Sequence, residues 1–243
     1  HPQWTTTSLA SLRAIATGST DVPIALIEAV HARGVPVIQV YGATETAPIA
    51  IYQRLDEAHA TVGSIGRPGP ATDIRLVDAA GRDVAVGEPG EILVRGAQLA
   101  SGYWRDAAAT AGCFGDGWFR SGDVATRDAA GRYWFRDRTK DVIISGGENV
   151  YPAEIEAALY QHPAIFQCAV IGVPDAKWGE VGKAFVVLKP NQSAIAEELL
   201  AHLGDRLARY KIPHFVEFIA SLPISAAGKV LRRELRESQR QSG

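Results

Sequence analysis

Methionine is absent from the 243 residues, and cysteine is nearly so. The two cysteines, Cys113 and Cys168, lie far apart and match no metal-ligand spacing. They read as reduced, partly buried thiols rather than a disulfide. No run of about 18 apolar residues occurs, so no membrane-spanning helix is expected. No secretory signal is visible either, and the expected compartment is the cytoplasm. A basic excess is also missing: the formal net charge is -2, with no clustered stripe of basic and aromatic residues. Neither nucleic acid nor an anionic membrane is therefore expected as the main partner. There is no internal repeat and no low-complexity tract. What is left is 47% hydrophobic and 21% charged, the balance of a globular chain with a sizeable core. The length allows one large domain or two smaller ones.

The stretch Tyr133–Glu156, YWFRDRTKDVIISGGENVYPAEIE, organises the rest. A β-type run at Tyr133–Phe135 meets a charged cluster of Arg136, Asp137, Arg138, Lys140 and Asp141. A short strand (Val142–Ser145) and a Gly146-Gly147 pair follow. Pro152 then stands where a helix can begin, with Glu154 and Glu156 near the positive end of its dipole. Charges that are costly to bury, set between two apolar runs and followed by glycines, read as a hinge. An ordinary strand–loop–helix connection with solvated charges has the same pattern.

Upstream, Leu9, Leu12 and Ile15 with the TGST turn suggest a strand ending in a Gly-rich loop. Asp21 is placed to cap a helix with Ile24, Ile27 and Val30 on its apolar face, and Gly34 ends it. Val35–Val40 reads as a buried strand. Strand–helix–strand is the mark of a parallel α/β unit, whose ligands bind at the carboxyl ends of its strands. Two loops fall there: Gly18-Ser19-Thr20 and YGATET (Tyr41–Thr46). From about Thr61 short strands alternate with turns. Asp73–Val77, GEILVRG (Gly90–Gly96), SGYW (Ser101–Trp104) and DGWFRSGDVA (Asp116–Ala125) suggest a small antiparallel, barrel-like subdomain. After Asp141 a compact α+β domain is expected, with helices near Ala153–Gln161, Ile195–Leu207 and Val230–Arg240. Strands are expected at Ile165–Val173 and Lys183–Leu188, and from YKIPHFVEFI. LPISAAGKVLRREL (Leu222–Leu235) places Lys229 on an exposed loop.

YGATET, the Ser121-Gly122-Asp123 segment, the Tyr133–Glu156 stretch and the Lys229 loop stand in the same order as in the adenylate-forming enzymes. They resemble the acyl-CoA synthetases (fatty-acid–CoA ligases) most, over nearly the whole chain. The resemblance implies that a carboxylic acid and ATP form an acyl-adenylate, which a swivelling C-terminal domain passes to the thiol of coenzyme A. It implies an architecture in three parts. Residues 1–58 would end a large α/β nucleotide- and acyl-binding domain, 59–139 would form a β-rich subdomain completing it, and 140–243 the mobile α+β domain. Tyr41 would flank the adenine, with Gly42 beside it and Gly18, Ser19 and Thr20 on the neighbouring loop. Thr44 would bond the α-phosphate, and Glu45 would hold Mg²⁺, a hard cation suited to carboxylate oxygen. Asp123 would accept from the ribose hydroxyls, and Arg138 would be a second ribose or phosphate contact. Lys140 would be the pivot. Lys229 would reach the acid and the α-phosphate during adenylation and withdraw for thioester formation. Gly146, Gly147, Trp178 and Tyr210 would lie along the coenzyme A side.

Each segment also has a plainer reading. These are a Gly turn with an exposed acid at YGATET, a surface β-turn at Ser121–Asp123, core aromatics at Trp178 and Tyr210, and a solvated lysine at Lys229. Luciferases and peptide synthetase adenylation domains share several of these motifs, though SGGENVYPAEIE matches the CoA ligases better. A paralogue that only binds a nucleotide or a partner is the non-catalytic alternative. The family's Ser/Thr/Gly-rich phosphate loop is not among these residues. The sequence is therefore expected to be a C-terminal portion, dependent on an upstream part of the same protein.

Overall fold

The computed structural model describes residues 3–18, 22–226 and 228–241. Ser19, Thr20, Asp21 and Ala227 lie outside them. The chain forms two compact units, His1–Arg136 and Asp137–Gly243.

The first unit opens with β1 (Ile15–Thr17), α1 (Ile24–His31) and β2 (Val37–Tyr41). The two strands pair in parallel. Gly34, at φ 78°, ends the helix, where its N–H reaches the carbonyl of His31. Ile27 and Val30 pack on Val35 and Val37, with Leu9 and Ile15 at the edge. Ile24 does not join them: it is the first helical residue and remains 47% exposed. Two short strands, β3 (Ile51–Tyr52) and β4 (Arg67–Pro68), continue this sheet antiparallel in the order β1-β2-β3-β4.

A second, antiparallel sheet follows. It contains β5 (Asp73–Val77), β6 (Gly90–Arg95), β7 (Phe114–Gly115), β8 (Trp118–Arg127) and β9 (Tyr133–Arg138). The order is β5-β6-β8-β7, with β9 pairing β8. Ile92, Val94, Phe119, Ala125 and Tyr133 form its core with Ile51 and Ile65 of the first sheet region. A helix, α2 (Ala107–Cys113), interrupts the strands where the sequence suggested only strands and turns. Its start is capped by Asp106, whose carboxylate accepts from the Ala109 N–H at 2.8 Å.

The second unit is a five-stranded sheet covered on both faces. β10 (Ile143–Ser145) and β11 (Glu148–Val150) form a hairpin, so the Gly146-Gly147 pair is a two-residue turn rather than an open loop. Both glycines have positive φ, 61° and 89°, as such a tight turn requires. α3 (Pro152–Leu159) leads to the long strands β12 (Ile165–Asp175) and β13 (Gly179–Leu188). Then come α4 (Ala196–Gly204), β14 (Phe215–Phe218), which pairs β13 in parallel, and α5 (Arg232–Gln241). Side chains alternate across a strand, and the two cores divide accordingly. Cys168, Val170, Ala184 and Val186 pack with residues of α3 and α4. Ala169, Ile171, Phe185 and Val187 pack with Leu222 and with Leu235 of α5. Both cysteines are free thiols. Among the described residues, no helix is long and apolar enough to cross a membrane.

Candidate active site

In the first unit the loop after β2 is held in one shape by Thr46, whose side chain is buried. Its hydroxyl accepts from the Ala43 N–H at 2.9 Å and lies 3.1 Å from the Pro48 carbonyl. A Cβ at Gly42 would collide with that same carbonyl, and one at Gly18 would collide with the carbonyl of Val40. Both positions need glycine for backbone contact, whatever else they do. This framework leaves Thr44 exposed and Glu45 half-buried. Glu45 is tied from two sides: the Tyr103 hydroxyl donates to Oε1 at 2.6 Å, and the Ala100 N–H donates to the Glu45 carbonyl at 2.9 Å.

Asp123 is not in a turn between strands. β8 runs through Ser121-Gly122-Asp123, and the register slips there: Glu91 faces Val124, whereas Leu93 faces Arg120. This is a β-bulge, with Gly122 at φ 69° in the left-handed region that the bulge needs. The Ser121 hydroxyl fixes it, donating to the Ile92 carbonyl at 2.8 Å and accepting from the Asp123 N–H at 3.1 Å. The bulge turns the Asp123 carboxylate toward the end of β2, where the Tyr41 hydroxyl donates to Oδ2 at 2.8 Å. Two residues 82 apart in sequence are thereby adjacent.

The second unit holds the remaining candidates. Lys140 is exposed in the turn closed by the Asp141 N–H on the Arg138 carbonyl, and Arg138 is also exposed. The neighbouring acids are not solvated as the sequence suggested: Asp137 is 3% exposed and Asp141 5%. Burial is affordable because each has partners. Asp137 accepts from the Ala153 N–H at the start of α3 and from its neighbour Arg138 N–H, both at 2.8 Å. Burial nevertheless pushes its carboxyl up from the ordinary value of 3.8, against the pull of those two N–H groups. Asp141 pairs with Arg236 of α5 at 2.6 Å. One turn earlier in α5, Arg232 Nη2 donates to both carboxylate oxygens of Glu156 of α3, at 2.7 and 2.8 Å. Burial works against the charge on Arg232, but the Glu156 carboxylate outweighs it and raises its pKa.

Lys229 lies just before α5, at the base of a hairpin in which Ile224 bridges Val230. Gly228, at φ 78°, makes the bend. The Lys229 N–H donates to Ser225 Oγ at 3.1 Å, and its side chain is exposed. Trp178 and Tyr210 are 42% and 48% exposed, so neither is a core aromatic. Trp178 leans over Gly146, whose N–H donates to the Trp178 carbonyl at 2.8 Å. Tyr210 lies in a short helical turn, Arg209–Lys211, which Lys211 ties to Glu154 at 2.7 Å.

The sequence reading missed Tyr103 and the two arginines of α5. SGYW was visible as a motif, but nothing in its spacing discloses a partner at Glu45. LRREL read simply as a basic helix.

Two family profiles match this chain. "AMP-binding enzyme" covers residues 1–104, and "AMP-binding enzyme C-terminal domain" covers residues 154–229. The chain belongs to the AMP-binding enzyme family. It is 49% identical over 238 residues to a feruloyl-CoA synthase of Amycolatopsis, an alignment covering 97% of this chain and 48% of that protein. The chain thus spans about half the length of the curated relatives it matches. A crystal structure of an anthranilate CoA ligase in complex with anthranoyl-AMP superposes with a TM-score of 0.90 at 36% identity, over 98% of this chain and 46% of that one. An o-succinylbenzoate coenzyme A synthetase of Bacillus subtilis, in complex with ATP and magnesium ion, gives 0.88 at 34% identity, over 97% and 49%. These neighbours are named as CoA ligases and synthases, and the mixed α/β architecture is that of the adenylate-forming enzymes.

Proposed function

We propose that this chain is part of an ATP-dependent acyl-CoA synthetase. A carboxylic acid and ATP give an acyl-adenylate and pyrophosphate, and the thiol of coenzyme A then takes the acyl group and releases AMP. The observation that carries this reading is the meeting of Tyr41 and Asp123, beside a fixed loop that offers Thr44 and Glu45. A phenol ring next to an acceptor-only carboxylate suits an adenosine: the ring flanks adenine and Asp123 receives the ribose hydroxyls. Thr44 donates to the α-phosphate. Glu45 supplies hard oxygen, and among the described residues no cluster of three or more potential ligands competes with it for a metal. That fits Mg²⁺, which is commonly held by one or two carboxylates together with substrate phosphates. When bound, the ion neutralises phosphate charge as pyrophosphate leaves.

Gly18 and Gly42 keep the backbone close to the nucleotide; Ser19 and Thr20, outside the described residues, belong to the same loop by resemblance. In the second unit, Arg138 reaches a ribose or phosphate oxygen and Lys140 is the pivot. Lys229 stabilises charge as the carboxylate attacks. Gly146, Gly147, Trp178 and Tyr210 line the coenzyme A arm, where exposed aromatics beside a glycine turn suit a slender chain. We assign residues 1–58 and 59–139 to the nucleotide- and acyl-binding domain and 140–243 to the swinging domain. The rest of the protein supplies the phosphate loop, and the cytoplasm, where ATP and coenzyme A are available, is the working compartment. The acid is apolar, given Ala47, Pro48 and Ile49 beside the loop, and the aryl acids named for two of the neighbours make aromatic acids the first to try.

The test is ATP–pyrophosphate exchange by the full-length gene product against aromatic, short-chain, long-chain and dicarboxylic acids. Exchange with one class supports the reading and names the acid. Nucleotide binding without exchange for any acid would favour the non-catalytic alternative.

A further inference from the structure

The Glu45 carboxylate is oriented from outside its own loop. Tyr103 donates to Oε1 at 2.6 Å, the length of a hydrogen bond to a charged oxygen. Tyr103 itself is held at its backbone and at its ring. Its backbone N–H donates to Thr110 Oγ1 at 2.9 Å, and that hydroxyl donates in turn to the Asp106 carbonyl at 2.7 Å. Its ring meets Phe114 edge-on at 5.8 Å between centroids. Gly102, at φ 145°, lies so close to Thr110 that a Cβ would strike its side chain. Asp106 caps the helix that carries Thr110. One residue before this segment, Ala100 donates to the Glu45 carbonyl. Both the main chain and the carboxylate of Glu45 are therefore braced by residues 100–103, and α2 braces those.

We infer that Tyr103 is a positioning residue for Glu45, fixing the carboxylate in the orientation in which it holds the nucleotide-bound divalent cation. With Oε1 committed to the phenol, Oε2 would be the oxygen left to hold the ion, and the donated hydrogen bond limits rotation of the side chain. Partners that orient a metal-binding carboxylate matter about as much as that ligand's own geometry, commonly about 10–100-fold in affinity. SGYW is thus the support of YGATET, joined to it through space. The inference rests on the acyl-CoA synthetase reading, since it needs a cation at Glu45.

The experiment uses the full-length gene product and its Tyr103→Phe variant, which deletes one oxygen and keeps the ring. Binding of MnCl₂ and of MgCl₂ is titrated at saturating ATP by calorimetry, and ATP binding is measured separately in EDTA. The expected result is an apparent metal Kd raised about tenfold in Tyr103→Phe, with the metal-free ATP Kd and the melting temperature nearly unchanged. Thr110→Val, which frees the Tyr103 N–H, shifts the metal constant the same way by a smaller factor. It serves as the second probe should Tyr103→Phe fold poorly. An unchanged metal constant in the variants, in a parent that binds metal with ATP and exchanges pyrophosphate, overturns the role of Tyr103 alone. A parent whose ATP binding ignores divalent cations overturns the reading and this inference together.

Discussion

Asp123 shows how much a single residue depends on its backbone. The carboxylate reaches Tyr41 only because a bulge at Ser121–Asp123 adds residues to β8, and the bulge holds only because Gly122 accepts φ 69°. Asp123→Asn keeps the shape but exchanges an acceptor-only group for one that both donates and accepts. It is expected to raise the KM for ATP about tenfold with little change in melting temperature, measured by pyrophosphate exchange at varied ATP. A KM within twofold of the parent would place the ribose elsewhere. At this scale the sequence was informative wherever the chemistry lies within a few consecutive residues, as in YGATET and SGD. It was silent on Tyr103, because a phenol whose partner lies 58 residues away leaves no periodic trace. It misjudged Asp137 and Asp141, because a charged residue reads as solvated until its partners are known.

Among the elements, α5 is the one whose role the sequence concealed. Its arginines reach back to Glu156 in α3 and to Asp141 beside the Lys140 turn, while Leu235 fills the core against Ile171 and Phe185. Glu156→Ala would leave Arg232 largely buried without its carboxylate, an expected loss of about 3 kcal/mol by denaturant unfolding of the second unit. Replacing both partners by leucine should recover most of that loss, since an apolar pair needs no desolvation. A Glu156→Ala variant as stable as the parent would mean that the ion pair is not formed in solution. The buried Asp137 gives the unit a pH dependence whose sign follows from its raised pKa. Its folded pKa is raised above 3.8 by burial, so its contribution to stability is complete below that value and is lost as the pH climbs through the folded pKa. The melting temperature of Asp137→Asn, relative to the parent, should therefore rise as the pH climbs above 3.8. A difference that is flat or falls over that range contradicts the assignment. Helix α2 was missed for a related reason: Ala-Ala-Ala-Thr-Ala-Gly has helical propensity but no apolar stripe, and only its Asp106 cap announced it.

For the molecule as a whole, the division into two units after Arg136 places Tyr41, Thr44, Glu45 and Asp123 in one and Arg138, Lys140 and Lys229 in the other. The boundary between the units was legible because charges, a short strand and paired glycines interrupt the apolar pattern close to it. Chemistry that needs groups from both units must bring them together in a particular arrangement, and can be switched off by another. Residues 1–243 alone, without a phosphate loop, are expected to form no AMP in the presence of acid, ATP and Mg²⁺. Acid-dependent AMP formation by these residues alone, assayed by chromatography, would show that the site is complete without an upstream segment.

The most direct measurement separates the two half-reactions of the full-length gene product in a Lys229→Ala variant. Adenylation is followed as pyrophosphate release in a single turnover, and thioester formation is followed from supplied acyl-adenylate and coenzyme A. The account predicts a loss of about 10²–10³-fold in adenylation, the size expected on removing one group that stabilises the transition state, with thioester formation from acyl-adenylate within a few-fold of the parent. Equal loss in both steps, or none in adenylation, would contradict a lysine that serves the first reaction and withdraws for the second.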